Sequence, residues 1–150
     1  MTHHLIRHAQ ASYDEDDRVR ALSARGRVQV ERLCALLGPS FRPEEVWHSP
    51  LVRARETAEL LVRGLGLGPV FRVRPELEPD SDPGPVAALL DAADRPILVV
   101  GHEPNLSVLA SMMVRGSPPP GSLGFAKAGT MALRRGEGGR WAAEWVVRAP

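Results

Sequence analysis

The sequence predicts an α/β fold built on a mostly parallel sheet, and three observations predict it. Short apolar runs at Leu5-Ile6, Val46-Trp47 and Ile97-Leu98-Val99-Val100 alternate with segments of helical periodicity, the order that lays parallel strands beneath crossover helices. The third run is apolar throughout, as a central strand buried on both faces must be. Each run leads into a histidine, His8, His48 or His102, at the strand ends where open α/β sheets bind ligands. With 150 residues, 43% of them hydrophobic, the chain can bury one substantial core, so a single domain over 1–150 is expected.

Taken in order, the first strand passes at His8 into a polar run from Gln10 to Arg20, in which Asp14, Glu15, Asp16 and Asp17 crowd together. A charge run reads as a solvated loop, and this one leaves the strand beside Arg7 and His8, so it walls one side of any site there. Ser23 is expected to cap a helix with Val28, Leu33, Leu36 and Leu37 on its apolar stripe, ended by Gly38-Pro39. After the strand Val46-Trp47-His48, Ser49 and Pro50 read as the cap and first residue of a second helix, Leu51 to about Gly64, with Leu51, Ala54, Ala58, Leu61 and Leu65 inward. The glycines from Gly64 to Gly68 mark a helix exit, since they are not spaced as a dinucleotide loop. Val70 to Val73 alternates as a strand, and Pro75 to Pro85 reads as an acidic surface loop in which Asp82 caps a short helix from Val86 to Ala92. Beyond His102, Glu103-Pro104-Asn105 opens a helix with Leu106, Leu109, Met112 and Met113 facing in. Gly116 to Gly121 is a Pro-rich loop, and Ala128 to Leu133 with Arg140 to Val147 form an antiparallel hairpin that extends the sheet or closes its edge.

Composition narrows the function. A net charge of +1 provides no global basic field for nucleic acid or an anionic membrane. No segment has the apolar length of a membrane span and no charged-then-apolar leader opens the sequence, which leads to the expectation of a cytoplasmic protein. The single cysteine, Cys34, excludes an internal disulfide and a Cys-based metal cage, and its place on a helix face suggests an inert buried thiol. Glu76, Glu78, Asp80 and Asp82 have neither a histidine set nor EF-hand spacing, so no metal site is expected there.

The chemistry concentrates at strand ends. Arg7 brings a planar fork matched to phosphate oxygens, and a neutral imidazole such as His8 can attack phosphorus. Arg53 falls in the first turn of the second helix, where free N–H groups and a partial positive charge already favour an anion. His102 sits at a strand end and a helix N-terminus together. These four side chains are expected to share one pocket, with the nearby positive charge lowering the imidazole pKa values and keeping His8 neutral. His3, His4 and His48 read as packed strand residues, and Arg55 and Arg63 as solvated ones.

Leu5-Ile6-Arg7-His8-Ala9, Ser49-Pro50-Leu51-Val52-Arg53-Ala54-Arg55-Glu56-Thr57-Ala58 and Val100-Gly101-His102 together resemble the motifs of the histidine phosphatase superfamily, also called phosphoglycerate mutase-like. The short length without an inserted cap is most similar to the SixA-like branch of phosphohistidine phosphatases. The resemblance implies a three-layer α/β/α sandwich and a nucleophilic His8 that is transiently phosphorylated and then hydrolysed. It implies phosphate binding by Arg7, Arg53 and His102, and no cofactor, because two guanidinium groups, an imidazole and helix-end amides can replace a metal ion. Ala9 stands where the family usually has glycine; at a positive φ alanine would cost on the order of 1 kcal/mol, and SixA-like members tolerate it. The leaving-group acid has no clear counterpart. Glu103 occupies the place of the aspartate of the superfamily's acid phosphatases, although a carboxylate at a helix N-terminus also serves the dipole alone. The implied partner is a protein-borne phosphohistidine or a small phosphorylated substrate. A phosphomutase would need a sheltered intermediate and a second phosphate pocket. A phosphoprotein-binding module would be expected to have lost the nucleophile or the clamp.

Overall fold

The computed structural model describes residues 1–114 and 124–148. Among them six strands form one sheet: β1 (Thr2–Arg7), β2 (Glu45–His48), β3 (Val70–Val73), β4 (Ile97–Gly101), β5 (Thr130–Arg135) and β6 (Trp141–Val147). The order across the sheet is β3-β2-β4-β1-β5-β6. The first four run parallel, and β5 and β6 are antiparallel additions beside β1. The expected hairpin therefore extends the sheet at one edge. The Pro-rich loop expected from Gly116 to Gly121 lies outside the described residues.

Alternation along the strands divides the core in two, because neighbouring side chains point to opposite faces. Leu5, Trp47, Ile97 and Val99 pack on one face with Val86 and Leu90 of α3 (Gly84–Ala92) and Leu106 and Leu109 of α4 (Asn105–Met113). Ile6, Val46, Leu98 and Val100 pack on the other with Val30 and Leu33 of α1 (Ala24–Leu37) and Ala54, Ala58 and Leu61 of α2 (Val52–Leu65). The result is the expected three-layer α/β/α sandwich. β4 lies between β2 and β1 and is buried at every residue, which is why its sequence carries no polar side chain. β3 is one edge strand, beside β2, and all four of its residues are exposed.

Several local expectations need correction. Ser23 caps α1 by accepting from the Gly26 N–H, but Val28 and Leu36 face solvent, and the buried row is Gly26, Val30, Leu33 and Leu37. In the same way Leu106, Leu109 and Met113 of α4 are buried while Met112 is exposed. α3 begins at Gly84, before the expected Val86, and Asp82 accepts the Gly84 N–H from outside the cap position, which Pro83 occupies. Ser49 does not cap α2: the cap position falls to Leu51 and the helix starts at Val52. Ala9, absent from the left-handed region, carries no strain where the family has glycine; the one non-glycine residue there among those described is Ala128, with φ 58°. The Cys34 thiol is half-buried, lies 3.8 Å from the Leu61 carbonyl, and is pushed to a higher pKa by burial. No helix among the described residues is long and apolar enough to cross a membrane.

Candidate active site

The carboxyl ends of β1, β2 and β4 place His8, Ser49 and His102 side by side. Pairing continues past the strand ends: the His8 N–H donates to the Gly101 carbonyl at 2.9 Å and the Ser49 N–H to the Val100 carbonyl at 3.2 Å. The turn before β5 closes over the same point, with the Ala128 N–H shared between the carbonyls of Arg7 and His8 at 3.0 and 3.2 Å. From below, Thr57 Oγ1 accepts the Ala9 N–H at 3.0 Å and donates to the Arg53 carbonyl at 2.7 Å. The backbone that carries His8 is thus tied to the helix that carries Arg53.

His8 is almost completely buried. Its Nδ1 lies 2.7 Å from the Ala9 carbonyl; a carbonyl only accepts, so Nδ1 carries the proton and the Nε2 lone pair is free. The ring of His102 lies 5.0 Å away, centroid to centroid. Burial, opposed by the bond to Ala9 and reinforced by Arg53, Arg7 and Lys127, pushes the His8 pKa down to about 4. Burial, then His8 and Arg53, pushes His102 down to about 3. Both imidazoles are neutral near pH 7 as expected, but desolvation is the larger cause and neighbouring charge the smaller.

Both arginines feel both imidazoles electrostatically. Arg53, 5% exposed, donates through Nη1 to the Asp17 carbonyl at 2.8 Å and meets the Asp17 carboxylate through Nη2 at 3.2 Å. Arg7 Nη1 donates to the Phe125 carbonyl at 2.9 Å. The Nε atoms of Arg7 and Arg53 and the Nδ1 of His102 are buried without a hydrogen-bond partner. Buried polar atoms are normally paired, so three such nitrogens around a free nucleophile make a site suited to an oxygen-rich anion. Arg74 and Arg135 also have an unpartnered Nε, but each lies over an indole ring, Trp47 and Trp141 respectively. A cleft of about 560 Å³ between α3, α4 and the β5–β6 turn, lined by Asp91, Arg140 and Trp141 among others, contains none of the four residues.

Glu103 is otherwise engaged. Its Oε1 accepts the Ser107 N–H at 3.0 Å, and its Oε2 accepts from the Ser107 hydroxyl and from the Phe125 N–H, the latter at 3.2 Å. The carboxylate therefore joins the first turn of α4 to the residue whose carbonyl holds Arg7. The polar run after β1 is not merely solvated, for Asp17 opens a single 3-10 turn (Asp17–Val19) and its carboxylate bridges Arg53 and Arg20. Slight burial raises the Asp17 pKa, but Arg20 and Arg53 outweigh it and hold the carboxyl below the usual range. Thr57 and Lys127 escaped the sequence reading, and Asp17 entered it only as one of the acidic run expected to wall the site. Of the two that escaped, Thr57 left a signal, one helical turn after Arg53 inside the quoted motif.

Residues 3–78 match the model of the histidine phosphatase superfamily (branch 1). Phosphohistidine phosphatase SixA of Escherichia coli strain K12 is 35% identical over 77% of this chain and 76% of its own. A structure of the protein histidine phosphatase SixA complexed with tungstate superposes with a TM-score of 0.88 at 29% identity, covering 99% of this chain and 97% of that one. A mycobacterial glucosyl-3-phosphoglycerate phosphatase shares the fold at a TM-score of 0.72 and 22% identity, over 99% of each chain.

Proposed function

The chain belongs to the histidine phosphatase superfamily, and on that premise we propose that it is a metal-independent phosphatase that hydrolyses protein-borne phosphohistidine through a phosphorylated His8. The observation that carries the reading is the His8 Nδ1 bond to the Ala9 carbonyl, which leaves Nε2 as a free lone pair beside two guanidinium groups. Nε2 attacks phosphorus, the bond to the substrate's imidazole breaks, and that imidazole leaves with its electron pair and a proton. Water then attacks the phosphorus on His8 and releases inorganic phosphate. Arg7, Arg53 and His102 hold the phosphoryl oxygens through both steps, offsetting the charge that builds on them. That the similar SixA was solved in complex with tungstate, a tetrahedral oxyanion like phosphate, supports a ligand of this class.

Glu103 enters the reading as a positioning residue for Arg7, because both of its oxygens already accept hydrogen bonds. A site without a dedicated acid suits a P–N bond, whose imidazole leaving group can be protonated in advance, better than an alkyl ester, whose alkoxide needs an acid. A cytoplasmic setting belongs to the same reading. The test is phosphate release from a phosphohistidine protein against a panel of phosphorylated metabolites, both with chelator present. Turnover of the phosphohistidine protein is expected and chelator leaves it unchanged. Turnover of esters alone would move the substrate to small phosphomonoesters, and loss of activity in chelator restored by a divalent cation would overturn metal independence.

A further inference from the structure

Ser49 is fully buried at the end of β2, in the place where a helix cap was expected, yet α2 begins later and Ser49 faces His102 instead. Its Oγ lies 2.7 Å from His102 Nε2 and accepts the Leu51 N–H at 3.1 Å. Two proton arrangements fit the 2.7 Å contact. If Nε2–H donated to Oγ, the serine hydroxyl would be left buried with no acceptor, and Nδ1 would be a buried lone pair with no donor. If the hydroxyl donates to Nε2, the serine is satisfied on both sides and only the Nδ1–H remains unmatched. Each buried orphan costs on the order of 1–3 kcal/mol, so the arrangement with one is preferred to that with two.

We infer that Ser49 is a positioning residue: its hydroxyl donates to Nε2 of His102, fixes the tautomer with the proton on Nδ1, and so presents that N–H to a phosphoryl oxygen. The last clause rests on the phosphatase reading, and the tautomer itself does not. The residual orphan is then the donor a bound phosphoryl group satisfies. Burial of the ring keeps it neutral, so its single proton must be on the useful nitrogen. With the other tautomer His102 would turn a lone pair toward an anion, which repels it.

The full chain labelled with nitrogen-15 in histidine settles the tautomer by NMR. The expected spectrum has a protonated Nδ1 and an unprotonated Nε2 at His102, with the Nδ1–H signal shifting when inorganic phosphate is added. A protonated Nε2 overturns the inference. Ser49→Ala is expected to mix the two tautomers and to lower kcat about ten- to hundredfold while KM moves less than about threefold. Ser49→Ala that keeps the wild-type tautomer or the wild-type kcat also overturns it. Should that variant fail to fold, the wild-type spectrum alone decides. Should the wild-type protein hydrolyse neither phosphohistidine nor phosphate esters, the phosphatase reading falls, and the same spectrum still decides what Ser49 does to His102.

Discussion

His3 and His8 lie at opposite ends of β1, both buried, both with depressed pKa values, and they differ in what their ring nitrogens touch. Nδ1 of His3 accepts the Ile97 N–H at 3.1 Å, which places its proton on Nε2, 3.0 Å from the Leu90 carbonyl. Its ring stacks on Trp141 at 4.7 Å. Nothing is left over. At the other end, His8 keeps a free Nε2 and His102 a free Nδ1, with two unmatched arginine Nε atoms beside them. Burial and a shifted pKa do not by themselves separate a structural histidine from a functional one; unspent hydrogen-bonding capacity does.

The contrast breaks most sharply by mutation at its two ends. His8→Ala is expected to lower phosphatase turnover by at least about a thousandfold, since no neighbour can replace a nucleophile, with thermal unfolding nearly unchanged; a phosphate-release assay and a melting curve check both halves. His3→Ala should do the reverse. Losing a stacked, doubly bonded core ring is expected to cost about 2–4 kcal/mol in a denaturant titration, while the specific activity of the folded fraction holds. If His3→Ala abolished activity in folded protein, the division of labour between the two ends would be wrong.

A third variant probes how the site end is held. An added Cβ at Gly26 would stand 2.1 Å from the Gln10 carbonyl oxygen, the same oxygen that accepts from the Ser23 N–H and hydroxyl. Gly26→Ala is therefore expected to cost about 1–3 kcal/mol of stability, where alanine in an open helix would gain about 1 kcal/mol. It should also lower kcat by displacing the chain that leaves His8. Paired unfolding and activity measurements would expose an effect confined to one of the two.

A pH effect joins both ends, because all four shifted histidines have folded pKa values below 6.5: His3 by direction, His4 and His8 at about 4, His102 at about 3. Between those values and 6.5 the unfolded chain binds more protons than the folded one. Stability is thus complete above the unfolded pKa and is lost as pH falls from 6.5 toward 4, with a slope of up to about 1.4 kcal/mol per pH unit per histidine. Urea midpoints at about pH 7.5 and 5.0 measure it, and a flat profile would contradict the buried neutral state. The acid limb of kcat/KM should likewise lie well below 6.5.

The four central side chains were legible because each is anchored by local pattern: Arg7 and His8 at the end of an apolar run, His102 after the most apolar run, Arg53 in a first helical turn. The same patterns gave the strands and the hairpin. What failed was phase. Val28 and Leu36 look like core by residue type, but the row at 26, 30, 33 and 37 follows the helical repeat and begins with a glycine that packs on backbone. Lys127 and the partners of Asp17 and Ser49 were hidden for another reason. Their roles are set by contacts between segments far apart in the chain, and an acidic run or a Ser-Pro pair reads locally as a loop or a cap.

The salt bridge of Arg53 to Asp17 bears on how a product departs. A guanidinium this deeply buried cannot be left bare when an anion leaves it without a large desolvation cost. Asp17 is 63% exposed at its side chain, on a short turn, with Arg20 sharing its carboxylate. On the proposed phosphatase reading, the cation finds a counter-charge already supplied by the chain as phosphate withdraws, and exchanges that carboxylate for another anion as a new phosphoryl group arrives. Binding strength then reflects the difference between two ion pairs.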